Sequence, residues 1–233
     1  MPIKCEELTF MNLPKLAQPV SLKQQAYQGI KNAIIDQSIA PGEVLYERAL
    51  SEQLGISRTP IRESIPLLEL EGWVTSVPRK GTFVSKITKQ DVEEVIQIRR
   101  GLEVLVIEVL VPIISDEQIK HLEGIYDSQL NEQQENKRFI SVDHDFHMLL
   151  AEFSGNKRLT NLMKTVSDQM RWFGVSALNS PNRIKQTLTE HQLIIQCLKE
   201  RDSERAKKAV LEHIECTREA VMSTLKENEE DGR

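Results

Sequence analysis

From Thr88 onward the chain is helical by pattern throughout, which restricts the larger part of it to a bundle of helices. The starts are marked by residues that can satisfy free amide donors: Thr88 with Asp91, and Ser115 with Gln118, have the spacing of capping boxes. Apolar periodicity places helices at about 89–111, 116–135, 137–153, 157–178, 182–200 and 203–226. The longest apolar run, Val104 to Ile114, contains Glu108 and Pro112 and is much shorter than the roughly 20 residues of a membrane span. It is expected to form a buried helix, and no membrane partner is expected. The charged end, 227–233, has no apolar residue and reads as a disordered tail.

The residues before Thr88 follow a different plan. Leu22, Ala26, Ile30, Ala33 and Ile34 recur at helical spacing until Pro41-Gly42 stops them. A second helix fits Glu47 to Leu54, ended by Gly55, and a third begins at Ser57, whose hydroxyl can cap its first turn. Ile61, Ile65 and Leu68 make one apolar stripe, so Arg58 and Arg62 point outward. Trp73 to Val77 and Gly81 to Ser85, separated by Pro78-Arg79-Lys80, read as a two-stranded wing that must pack on the helices. The expected division is an N-terminal arm (1–21), a winged helix-turn-helix (22–87), an all-α antiparallel bundle (88–226) and the tail. The fold class is mainly α.

Charge and cysteines narrow the function. The net charge of -5 looks wrong for a phosphate-binding protein, but it is unevenly spread. Residues 1–86 hold ten Lys/Arg against nine Asp/Glu, and the rest hold 20 against 26, so a basic footprint can exist only as a local patch in the first part. Cys5, Cys197 and Cys216 are odd in number and widely spaced, which argues against a disulfide framework and a zinc ribbon. With no export signal at the start of the sequence, a cytoplasmic location is expected.

A recognition helix reads the major groove with its N-terminal residues, where Arg can bond guanine bidentately and short hydroxyls meet phosphates or bases. Ser57-Arg58-Thr59-Pro60-Ile61-Arg62 supplies that set; Arg48 and the wing tip Arg79-Lys80-Gly81 are placed to grip the flanking backbone and minor groove. The same residues would also suit a solvated charged face. The stretch Pro41 to Leu50, then Gln53 to Glu63, Leu68-Glu69, Glu71-Gly72 and Arg79 to Val84, resembles the winged helix-turn-helix of GntR-family regulators. That resemblance implies double-stranded operator DNA as partner, and places the DNA contacts on Arg48, Ser57, Arg58, Thr59, Arg62, Lys80 and Gly81. Two departures stand out. Tyr46 replaces the usual Ser cap of the second helix, and Pro66 sits inside the recognition helix, where a kink is expected.

Asp143 and His147 lie four apart on one helix and can address one point, a spacing shared by metal ligands and ordinary surface ion pairs. His191 and His213 follow on later helices. Over residues 88 to 225 the chain resembles the FCD domain, the effector module of FadR-type regulators: Arg99-Arg100-Gly101-Leu102-Glu103, then Asp143-His144-Asp145-Phe146-His147 with Ser154-Gly155-Asn156, then Glu190-His191 and His213 carry the likeness. The resemblance implies one divalent cation on Asp143, His147, His191 and His213, and a dimeric, repressor-type regulator. Three imidazoles and a carboxylate suit zinc or nickel, and open coordination positions would accept a small organic-acid effector. Arg99 and Arg171 are the candidate forked partners for that carboxylate, with an Arg99–Glu103 salt bridge as the alternative. His121 and His144 match nothing and are expected to face solvent. Two other readings compete: a regulator triggered by the metal alone, and a metal-dependent hydrolase, for which no separate general base is evident. An enzyme is not expected.

Overall fold

The computed structural model describes residues 20–178, 180 and 182–231. Most of the expected N-terminal arm, Cys5 included, lies outside them. Three helices, α1 (Leu22–Ile35), α2 (Glu47–Leu54) and α3 (Arg58–Leu70), precede the antiparallel strands β1 (Val74–Val77) and β2 (Gly81–Val84); six helices follow, α4 (Lys89–Leu110), α5 (Asp116–Asn131), α6 (Asn136–Phe153), α7 (Lys157–Ala177), α8 (Arg183–Lys199) and α9 (Ser203–Asp231). The chain is therefore mainly α, a winged helix-turn-helix followed by a helical bundle, as expected.

Ala26, Ile30 and Ile34 of α1, Leu50 of α2, and Ile61 and Leu68 of α3 close over Trp73 and Val74 to make the core of the first part. Leu22, expected on the same stripe, is half exposed. Gly55 ends α2 with φ of 65°, the left-handed conformation that lets the chain turn sharply into α3. The short hairpin does not stand alone: Gly42 and Leu45 donate to Val84 and Thr82 at 2.9 and 2.8 Å, so residues after α1 extend the wing.

Both capping boxes form, at Thr88–Asp91 and at Ser115–Gln118. Tyr46 makes no side-chain cap on α2, as its departure suggests. Ser57 does occupy the N-cap of α3, but its hydroxyl makes no cap bond, contrary to expectation, and is left exposed. The α3 helix runs unbroken through Pro66, which lies on its exposed side.

Two further expectations are corrected. The run 104–114 is buried on one side only: Leu105 and Ile113 are exposed, because α4 packs on α6, α7 and α9 and leaves its outer face free. The stretch 227–231, expected as tail, continues α9, there being no Gly or Pro before Gly232 to stop it. Among the described residues no helix is long and apolar enough to cross a membrane. Cys197 is buried and Cys216 half-buried, and both are free thiols.

Candidate functional sites

The seven expected DNA contacts lie on α2, α3 and the wing of the first part, and all are exposed. Ser57, Arg58 and Thr59 form the start of α3, and Arg62 lies one turn further along it. Arg58 makes no ion pair among the described residues. Arg62 donates through Nε to Glu47 at 2.7 Å, and Arg48 pairs with Glu52 at 2.9 Å along α2. Exposed pairs of this kind are weak and exchangeable, so both guanidinium groups are available to a phosphate or a base. Lys80 and Gly81 end the wing turn, in which Lys80 N–H bonds Val77 and Arg79 is held at a φ of 64°. A left-handed arginine is uncommon, and it carries the side chain out at the wing tip.

The second site lies inside the bundle. Asp143 and His147 project from one face of α6, His191 comes from α8 and His213 from α9; one ligand atom from each lies within 4.8 Å of all the others. The three histidines are buried. The outer nitrogens of two of them are fixed by neighbours. His213 Nδ1 lies 2.7 Å from a Glu190 oxygen, and His191 Nδ1 lies 2.8 Å from Gln129 Oε1, acceptors that each require a proton on Nδ1. The Nε2 lone pairs of both rings therefore face inward. Phe146 stacks on His191 with ring centres 4.1 Å apart, which holds the ring plane. His147 Nδ1 lies 3.0 Å from Glu103 Oε2, off hydrogen-bond alignment, and Arg99 clamps the other oxygen of Glu103.

The fit to a cation can be judged from these contacts. His147 Nε2 approaches His213 Nε2 to 3.1 Å, while His191 Nε2 is buried with no hydrogen-bond partner and sits 3.5 Å from Asp143 Oδ1. With the His213 Nε2 lone pair facing inward, this approach is a hydrogen bond when His147 carries its proton on Nε2, and a converging pair of donors open to a cation when it does not. Protonating the rings is disfavoured, since burial, and then the neighbouring imidazoles, push His191 well below the ordinary histidine value; burial and His147 do the same to His213. Two imidazoles held from behind, with His147 and the Asp143 carboxylate turned to the same point, fit the donor set of a divalent cation such as zinc or nickel.

A cavity of about 30 Å³, room for one or two waters, adjoins the cluster. Apolar walls come from Ile140, Met163, Met170 and Leu178, and polar ones from Ser167 and Arg171. Of the two candidate carboxylate partners, Arg99 is already engaged by Glu103, whose carboxyl, raised by burial, is held well below its ordinary value by Arg99 and His147. Arg171 lines the cavity with its Nε enclosed and without a hydrogen-bond partner. His121 is exposed as expected, with its ring beside Phe153. His144 is not: it also lines the cavity, 2.6 Å from Ser167 Oγ, because the turn that points Asp143 inward brings the next residue to the wall.

Sequence reasoning missed the residues behind the ligands. Arg183 donates to both Glu190 oxygens at 2.8 and 2.9 Å and to Thr217 at 2.8 Å, locking α8 to α9. Their spacing of seven residues on one helix face was a readable signal. Gln129 binds His191 and, through its Nε2 at 3.3 Å, Asp143; nothing in its sequence surroundings marks it.

Comparison with known proteins bears on both sites. Residues 22–84 match the family model described as bacterial regulatory proteins, gntR family, and residues 94–215 match the FCD domain. The chain is 32% identical to YdhC of Bacillus subtilis, described as an uncharacterized HTH-type transcriptional regulator, over 93% of this chain and 98% of that protein. It is 28% identical to the HTH-type transcriptional repressor RspR of Escherichia coli, over 91% and 92% of the two chains. Among solved structures, E. coli McbR/YncC superposes with a TM-score of 0.75 at 20% identity, covering 90% of this chain and all of that one.

Proposed function

This chain belongs to the GntR family of bacterial regulatory proteins and carries an FCD domain, so it is a transcriptional regulator and not an enzyme; from that premise we propose that it is a repressor released or engaged by a small carboxylate metabolite at a metal-containing cavity. The observation that carries the proposal is the inward convergence of His147, His191 and His213 with Asp143 beside a cavity lined by Arg171, which makes no ion pair among the described residues. A divalent cation on those four residues would supply open positions for a carboxylate oxygen.

The chain's own residues do the rest. Gln129 and Glu190 present the imidazole nitrogens in the right tautomer. Arg171 offers the forked guanidinium that matches a carboxylate, and Arg99, held by Glu103, adds positive charge deeper in the wall. Met163 and Met170 can shift to admit an organic tail, thioether chains being adaptable. In the reader, Arg58 and Arg62 meet base edges, Ser57, Thr59 and Arg48 meet the backbone, and Lys80 and Gly81 bring the wing to the flanking groove. Two copies are needed to span two half-sites, so the working unit is a homodimer, with division into reader and sensor near residues 87 and 88.

Metal analysis of purified protein, followed by thermal-shift titration of the zinc- and nickel-loaded forms with a panel of small carboxylates, tests the reading. One bound metal per chain, and stabilisation that grows with carboxylate concentration, is the expected result. Absence of metal that persists in the presence of zinc and nickel would remove the site from the proposal. If zinc alone changed operator affinity, with no carboxylate effect, the protein would be a metal-responsive regulator instead.

A further inference from the structure

Helix α7 has two faces with different duties. At about 100° per residue, Met163, Ser167, Met170, Arg171 and Gly174 cluster on one side, and Asp168 and Trp172 point roughly the opposite way. The first group lines the cavity. The second meets the DNA-reading part. Lys31 of α1, with its side chain only 10% exposed, lies 2.7 Å from Asp168 and 3.1 Å from Glu71. Glu71 also accepts from Tyr27 at 2.6 Å and from the indole of Trp73 at 3.0 Å. The ring of Trp73 in turn packs against Trp172, with centres 5.4 Å apart, and the Lys31 ammonium sits 5.2 Å from the Trp73 ring.

We propose that α7 is the relay between the two sites: whatever enters the cavity displaces α7, and Asp168 and Trp172 carry that displacement to Lys31 and Trp73 at the base of the reader. The inference rests on the cavity being the effector site. It is supported by three features of the packing. The cavity of about 30 Å³ is too small for an organic acid, so occupancy must move a wall. The side chains α4, α8 and α9 present to it are tied, Arg99 to Glu103, Arg183 to Glu190 and Thr217 to Arg183, whereas α7, apart from Ser167 beside His144, presents methionines and an arginine with no ion pair among the described residues. Finally, α7 packs closely on α6 at Gly174, where an added Cβ would come 2.7 Å from Ile140 Cδ1; the tip of Ile140 can turn aside from one methyl, whereas a larger side chain at 174 would press the helices apart.

The contact between the two parts also holds its own reporter, since Trp73 and Trp172 are the two tryptophans of the chain. In full-length protein, Gly174→Leu should displace α7 with no ligand present. The expected result is altered tryptophan emission and a change of about five-fold or more in affinity for a duplex selected by the wild-type protein from random sequence. Adding Ile140→Ala should restore both, and in an Asp168→Asn background the effect on DNA affinity should fall below about two-fold. Met170→Phe supplies the same push should Gly174→Leu fail to fold. A folded Gly174→Leu or Met170→Phe protein with wild-type emission and DNA affinity, or an effect undiminished by Asp168→Asn, overturns the relay. A zinc titration of metal-stripped wild type separates the two proposals: absent binding heat counts against the metal site alone, while the variants still decide the role of α7.

Discussion

Replacing Glu190 by glutamine tests whether the residues behind the histidines are a support or merely neighbours. Arg183, 3% exposed at its side chain, sends two N–H groups to the Glu190 carboxylate at 2.8 and 2.9 Å. The amide keeps one acceptor but turns an amino group toward a guanidinium nitrogen, so one charge-assisted bond is lost and the arginine stays buried without its counter-charge. Removing a partner from a buried ion pair costs about 3–5 kcal/mol. The surviving acceptor and the contact to Thr217 bring the expectation to the low end, about 3 kcal/mol. For a chain of this length that is a fall in melting temperature of roughly 6–12 °C, read by scanning calorimetry on metal-free protein. Arg183→Met in the same background should recover part of the loss, because the uncompensated charge goes with it. Metal affinity by titration calorimetry should drop by about 10- to 100-fold as the acceptor behind His213 changes from a carboxylate to a neutral amide. A melting temperature within about 2 °C of wild type, or losses that simply add in the double variant, would refute this account of the support.

Alanine at Arg58 or Arg62 should cost about 1–3 kcal/mol of operator affinity and relax preference at one base position, measured by competition binding at fixed salt; equal weakening on all sequences would reassign the residue to phosphate contact. Pro66→Ala should raise the melting temperature, since the exposed ring removes an amide donor facing the Arg62 carbonyl; a large fall would contradict that. Acid should loosen the hold of Glu71, at the end of α3, on Tyr27 and Lys31 of α1. Burial pushes Glu71 up, but hydrogen bonds from Tyr27, Trp73 and Lys31 outweigh it and hold the carboxyl below its ordinary 4.5. A lowered carboxylate pKa contributes stability present above the unfolded value and lost as pH falls through the folded one. Glu71→Gln protein should therefore lose less melting temperature than wild type between about pH 5 and pH 3, and parallel curves would count against it.

The elements of the fold were legible because their signals are local. Thr88 with Asp91 and Ser115 with Gln118 announce helix starts through contacts three residues long, and Gly55 marks the turn into the reading helix by conformational freedom alone. Burial was less legible: the apolar run from Val104 says nothing about which neighbours α4 meets, and Leu105 and Ile113 are exposed. His144 was misjudged for the same reason, its surroundings being set by α7 and not by its own helix.

Sequence alone determined which residue types can do the work: arginines and hydroxyls at the start of a recognition helix, and an aspartate and histidine one turn apart with two more histidines downstream. Only the tertiary structure decided how they are held. Helices far apart in the chain bring Gln129 and Glu190 behind the imidazoles, lock Arg99 while leaving Arg171 free, and set Trp172 against Trp73. The physical reason is range. Capping, turning and helical periodicity act over a few residues and are written in order along the chain, whereas tautomer, charge balance and contact between the two parts depend on what the packed core places opposite each side chain.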